Sequence, residues 1–190
     1  MKNTIYRKIV NASFWGLWVT IIIWIILWAS PRTPIGATGD WIPYKIRNQY
    51  IGNSLPHGSL PYEKFYGSNY SCSYNNCSSI RVQAPNNSDV VVIIKENDSV
   101  EKVVNHAYLK AGNFYTFNVP NGTYQIFFYL GKDWYPEKKM KDEIIGGFIN
   151  NEVFLKDDPQ TLNGGELSYS LVKKKFGNFH PDKSSGAEAL

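Results

Sequence analysis

Hydrophobic positions fall into three regimes along this chain. From Ile9 to Ala29 the sequence IVNASFWGLWVTIIIWIILWA carries no charge and is apolar on every face of a helix. At about 1.5 Å of rise per residue, those 21 residues span roughly 30 Å, the hydrocarbon thickness of a bilayer. Over residues 31–78 neither a helical nor an alternating period survives. From Ser79 onward, apolar and polar positions alternate with the period of two that turns one side of a strand to a core.

The alternating region predicts a series of short strands. Ile80, Val82 and Ala84 form the first, and Pro85-Asn86-Asn87 is a turn. Val90–Ile94 is a β-branched run, followed by a turn at Glu96-Asn97-Asp98 and a strand over Val103–Leu109. Ala111-Gly112-Asn113 leads into Phe114–Val119. Pro120-Asn121-Gly122 then predicts a tight hairpin, because Asn-Gly supplies the positive φ values of a type I′ turn, with Tyr124–Leu130 returning. Two later strands are expected at Gly147–Leu155 and Glu166–Lys174, and the tail from His180 to Leu190 is expected to be disordered. Aromatics at 15%, mostly Tyr, favour a pleated, half-buried surface. The fold class expected is mainly β: one N-terminal transmembrane helix, then a small antiparallel β-sandwich.

The stretch Phe-Asn-Val-Pro-Asn-Gly-Thr-Tyr-Gln-Ile, residues 117 to 126, resembles the turn and strand of carboxypeptidase-regulatory-like and transthyretin-like domains. The resemblance covers residues 80–130. It implies an Ig-like or transthyretin-like sandwich of the binding or structural kind, and it carries over no catalytic residue.

The chain is therefore expected to divide into a basic flank (1–8), a transmembrane helix (9–30), an aromatic Pro/Gly-rich linker (31–78), the β domain (79–178) and a tail (179–190). Trp15 and Trp18 near one end of the apolar run and Trp28 at the other suit the membrane interface, with Trp24 between them. A cleaved signal peptide is the competing reading. Its cleavage region would place Trp28 where a small residue is wanted and Pro31 directly after Ser30, so retention as an anchor is expected. Lys2, Arg7 and Lys8 precede the run and Arg32 alone follows closely, which orients the N-terminus to the cytoplasm and the domain outside it. N-x-S/T triplets at Asn69, Asn76, Asn97 and Asn121 are compatible with export and decide nothing in so Asn-rich a chain. The linker carries Trp41, Tyr44, Tyr50, Tyr62, Phe65, Tyr66 and Tyr70, too much aromatic area to be left in water. It is expected to lie on the domain, on the membrane surface or on a neighbouring copy.

Candidate chemistry is sparse. Cys72 and Cys77 have no second ligand pair near them for zinc, which leaves a disulfide or two free thiols. Outside the cytoplasm the disulfide is expected, closing a short loop for about 2 kcal/mol on the chain-entropy model. His57, His106 and His180 form no metal or hydrolase motif, and a catalytic thiol would need His106 brought to it in space. Asp133, Glu137, Asp142, Glu143, Asp157 and Asp158 lack ligand spacing, and no cofactor is expected. A net charge of +4 without a concentrated basic face argues against a nucleic-acid partner.

The segment Gly131–Lys141 is the candidate recognition loop, with Trp134, Tyr135, Lys138 and Lys139 as aromatic anchors in a charged rim. Its competing reading makes Trp134 a core residue that caps the domain. The function expected is a non-catalytic binding or assembly subunit held in the bilayer, with another protein or a second copy as partner. The rival classes are a membrane-tethered hydrolase or thiol enzyme, and a membrane-disrupting effector with a β sensor.

Overall fold

A computed structural model describes residues 42–72, 76–97, 102–172 and 179–190; the expected anchor at 9–30 lies outside them. Among the described residues no helix is long and apolar enough to cross a membrane. Residues 40–190 form one unit, mainly β, with two sheets.

Sheet A has three strands in the order β4–β1–β8: β1 (Cys77–Gln83), β4 (Phe114–Pro120) and β8 (Gly165–Ser170). Sheet B runs β3–β2–β5–β6–β9: β2 (Asp89–Glu96), β3 (Val103–Leu109), β5 (Gly122–Lys139), β6 (Ile145–Lys156) and β9 (Asp182–Lys183). A short β7 (Gln160–Leu162) pairs with the start of β5. All pairs are antiparallel except β1 with β8.

The two sheets share one core. Ile80, Val82, Phe117, Val119 and Tyr169 of sheet A meet Val90, Val92, Ile94, Leu109, Ile126 and Phe128 of sheet B. Sheet B also buries its other face. Val91, Ile93, Tyr108, Phe127, Tyr129 and Phe148 pack there beneath Tyr62, Phe65 and Tyr66, and beneath Ala189 and Leu190. Burial on both sides explains why Val90–Ile94 is a continuous apolar run instead of an alternating one.

The cover on the outer face comes from both ends of the described chain. Two short helices, α1 (Tyr44–Gln49) and α2 (Glu63–Tyr66), lie in the segment preceding β1. This segment also satisfies the open edge of β3: the Gly58 and Tyr70 N–H groups donate to the Tyr108 and Val104 carbonyls, and Tyr108 N–H donates to Ser59. The 179–190 tail, expected to be disordered, instead forms β9 and a third helix, α3 (Gly186–Ala189), whose last turn buries Ala189 and Leu190. Two apolar residues at its end are enough to seat it, and the Tyr66 hydroxyl donates to the Leu190 carbonyl at 3.0 Å.

The Asn-Gly hairpin expectation is corrected. β4 pairs with β1 and β5 with β2, so Pro120-Asn121-Gly122 carries the chain from one sheet to the other. Asn121 is stapled in place: its N–H donates to the Asn76 carbonyl, and its Oδ1 accepts from Ser78 Oγ at 2.7 Å and Gly164 N–H at 2.9 Å. Tertiary partners have taken over a residue pair whose local chemistry favours a hairpin. The predicted turn around Asn97 does join two paired strands, β2 and β3, while 98–101 lie outside the described residues. Likewise the end of the expected strand Glu166–Lys174 falls partly outside them, and β8 itself stops at Ser170.

Candidate binding surface at the β5 bulge

The expected recognition loop is a strand. β5 continues through Gly131 to Lys139, pairing Trp134 with Phe148 and Tyr135 with Gly147 of β6. Two irregularities let it pass the residues that read as breakers. Register shifts occur between Leu130 and Lys132 and between Tyr135 and Lys139, and Pro136 sits in the second. Asp133 and Asn151 take positive φ values of 62° and 54°.

The first irregularity re-aims the side chains. Before it, even-numbered Ile126 and Phe128 face the inter-sheet core while odd-numbered Phe127 and Tyr129 face outward. After it, even-numbered Trp134 and Lys138 stand on the outer face with Tyr129. Trp134 is 2% exposed, edge-on to Tyr108 and Phe148 at ring distances of 5.5 and 5.2 Å. The alternatives left open for Trp134 close on the core. Its inclusion as an exposed anchor is corrected, because the bulge turns it under the 53–66 cover.

The remaining candidates separate in the same way. Lys138 is buried, donating to the Phe148 carbonyl at 2.7 Å and to Glu152 Oε2 at 2.6 Å, so it too is removed from the recognition set. Glu152 Oε1 in turn accepts from the Tyr129 hydroxyl at 2.7 Å, and that hydroxyl accepts from Phe148 N–H. Burial first, then neighbouring Tyr62 and Glu152, hold the Tyr129 phenol well above its ordinary pKa. Lys139 stays exposed. Tyr135 is half-buried, its ring 4.9 Å from that of Tyr50.

Around Tyr135 lies a polar end of the domain that the sequence did not mark. Asp133 Oδ1 accepts from Gly52 N–H at 2.7 Å, and its Oδ2 from the Asn150 amide at 2.5 Å. Trp134 N–H donates to the Asn53 carbonyl, and the Asn53 amide donates back to the Trp134 carbonyl at 2.6 Å. These bonds fix the 50–54 turn against β5. Beside them opens a cleft of about 250 Å³, lined by Asn53, Ser54, Asn86, Ser88, Asp89 and Lys132 among others. Its floor is tied down: Asp89 accepts from the Tyr108 hydroxyl at 2.5 Å and from Ala111 N–H at 2.8 Å. Burial, then that bond to Asp89, push the Tyr108 phenol far above its ordinary range. Lys132 is exposed at the rim. Asp89 and Asn53 could not be found from local pattern, since their partners are 19 or more residues away.

Three further sequence candidates find other places. Cys72 and Cys77 are bonded, with Cα atoms 5.8 Å apart, closing the approach to β1. His106 is 1% exposed on β3, stacked with Tyr62 at 6.2 Å and edge-on to Tyr66 at 5.6 Å. Its Nε2 finds no hydrogen-bond partner among the described residues, and burial lowers its pKa to about 4. His57 is on the surface, its Nε2 3.1 Å from the Phe114 carbonyl. Among the described residues no three His, Cys, Asp or Glu side chains group as a metal site. The described residues thus form a two-sheet β domain with a polar end beside the 50–54 turn. Comparison with known protein families, curated proteins and solved structures finds no match.

Proposed function

We propose that this chain is a single-pass membrane protein whose extracytoplasmic β-sandwich, of the Ig-like or transthyretin-like kind, binds another protein or a second copy as a non-catalytic assembly subunit. The anchor is the uncharged Ile9–Ala29 run, and the basic flank before it sets the orientation. The observation that carries the binding reading is the polar end around Tyr135. There a half-exposed aromatic, the exposed Lys132 and a cleft of amides and hydroxyls lie where the 50–54 turn and Ala111 are bonded to β5 and β2. Loop-built ends on rigid sheets are where small β domains place recognition, and aromatic residues in polar rims supply its anchors.

A photo-crosslinking residue placed at Tyr135 in the full chain, in intact membranes, tests this reading. A discrete adduct that disappears when Lys132 and Ser88 are both changed to bulky Glu supports it. Failure to form any adduct at 135 or 132, while the chain remains membrane-bound, overturns it.

A further inference from the structure

The segment leading into the domain holds a second surface. α1 buries none of its six residues. Tyr44 within it is 76% exposed and Ile51 just beyond it is 66% exposed, more than any other large apolar residue described. Lys45 and Arg47 are exposed between them. From Trp41 to Tyr62 the chain carries no Asp or Glu. Between Tyr44 and Ile51 the exposed side chains are the cations Lys45 and Arg47, the apolar Tyr44 and Ile51 and the amides Asn48 and Gln49, with Asp133 of β5 bonded to Gly52 beside Ile51.

A helix of one and a half turns with no buried side chain gains nothing from tertiary packing, and isolated helices this short are not stable in water. Yet α1 is no free linker. Immediately after it, the Tyr50 ring packs on Tyr135, Gly52 N–H is bonded to Asp133, and Asn53 is doubly bonded to Trp134. The domain thus holds the segment in place and leaves Tyr44, Lys45, Arg47 and Ile51 uncovered. The apolar run ends at Ala29, and the 12 residues 30–41 reach at most about 40 Å when fully extended. Whatever covers this surface must be near the bilayer.

We propose that α1 and the turn after it are a foot that rests on an anionic bilayer surface, with Tyr44 and Ile51 entering the headgroup layer and Lys45 and Arg47 paired with lipid phosphate or carboxylate groups. The inference rests on the membrane-anchored reading and deepens it. Tyrosine prefers that layer because its ring is apolar and its hydroxyl is polar. Basic side chains lying between the two apolar ones supply the attraction to anionic lipid, which acts within a Debye length of about 8 Å at physiological salt. A bilayer is preferred to a protein partner on proximity, since the 12 residues 30–41 keep this surface within about 40 Å of the anchor's end.

The test uses the full chain reconstituted into vesicles of phosphatidylcholine, with or without one-third phosphatidylserine. A bimane label is attached at Tyr44→Cys, Ile51→Cys or, as a reference on the outside of sheet A, Phe114→Cys, and quenching by lipids with a shallow nitroxide is read. The proposal expects quenching at 44 and 51 about twofold or more above that at 114 in the anionic vesicles. It expects this excess to fall in high salt and in the double variant Lys45→Glu, Arg47→Glu. Quenching no greater than at 114, in chains that float with the vesicles and resist carbonate, overturns the foot and leaves the anchor standing. Quenching that ignores phosphatidylserine and charge reversal also overturns it. Chains that do not float at all defeat the anchored reading, and the foot with it.

Discussion

Lys138 and Glu152 face each other across β5 and β6 at 2.6 Å, the lysine side chain 7% exposed and the glutamate 30%. The lysine is held inside a strand irregularity, so its charge is compensated by that carboxylate and by the Phe148 carbonyl. Removing one partner of a largely buried pair strands the other. Glu152→Ala is expected to destabilise the domain by about 2 kcal/mol or more, with Glu152's partial exposure keeping the cost below the fully buried range. The paired change Lys138→Met, Glu152→Leu should cost less than the sum of the single changes. Urea unfolding of the full chain in detergent micelles measures both; additive losses would show that the pair is not coupled.

Trp134 and Tyr135 are adjacent and should behave as opposites. Trp134→Ala empties a site among Tyr62, Tyr108 and Phe148, for an expected loss of about 3–5 kcal/mol. Tyr135→Ala should cost under about 1 kcal/mol and remove partner capture. Thermal melts of the two variants decide it, and equal losses would mean that Tyr135 is structural as well.

Two glycines predict contrasting penalties. A Cβ on Gly131 would lie 2.3 Å from Phe148 Cβ, whereas one on Gly52 would meet nothing within 4 Å. Gly131→Ala forces the two strands apart and is expected to cost about 3 kcal/mol, at the upper end of overpacking. Gly52→Ala carries only the strain of its φ of +77°, about 1 kcal/mol. A Gly131→Ala protein that melts like the parent would contradict the close contact.

His106 gives the domain an acid limit. An exposed histidine in the unfolded chain protonates near its ordinary 6.5, while burial holds the folded one down to about 4. Its stabilisation is therefore complete above pH 6.5 and is lost as pH falls through 6.5 towards 4, by about 3 kcal/mol in all. The rings packed on it are those of Tyr62 and Tyr66, and the Asn69 Oδ1 accepts from its backbone N–H. Glu152 lies within electrostatic reach of Tyr62, and Asp142 within reach of Tyr66. His106→Phe should flatten this part of the pH profile of unfolding free energy between 7.5 and 4.5. Parallel profiles for the two proteins would place the acid sensitivity elsewhere.

The Cys72–Cys77 bond bears on the proposed extracytoplasmic placement of the domain. In protein isolated without reductant, alkylation should leave both thiols unlabelled, and reductant should expose them, with a stability loss of about 2 kcal/mol for so short a loop. Free thiols in freshly isolated membranes would argue against export.

Legibility followed the range of the interactions. The β2 run and the strands around Phe117 and Phe128 were plain from local pattern, because burial and β-branching are written residue by residue. The parallel pairing of β1 with β8 had no local trace, since it joins Ser78 to Gly165. β5 was cut short at Leu130 because Gly131, Asp133 and Pro136 are breakers, and only the bulges opposite β6 make them tolerable. The same bulges decided that Trp134 and Lys138 point inward, so the residue set expected from the sequence mixed core with surface. The polar end around Asp133 was invisible for a related reason: its partners, Gly52 and Asn150, lie 81 and 17 residues away.

Sheet B is closed on its outer face by stretches that flank it, and Tyr66 meets Leu190 across 124 positions. Synthesis from the N-terminal side onward presents the aromatic cover of residues 62–66 early and its counterpart at 182–190 late. Until residues 182–190 have emerged, Phe127, Phe154 and their neighbours have no lid, and the half-formed domain shows an oily flank to its surroundings. Closure of the outer face of sheet B should thus wait on delivery of residues 182–190, and that interval is when a chaperone or a premature partner would find it open.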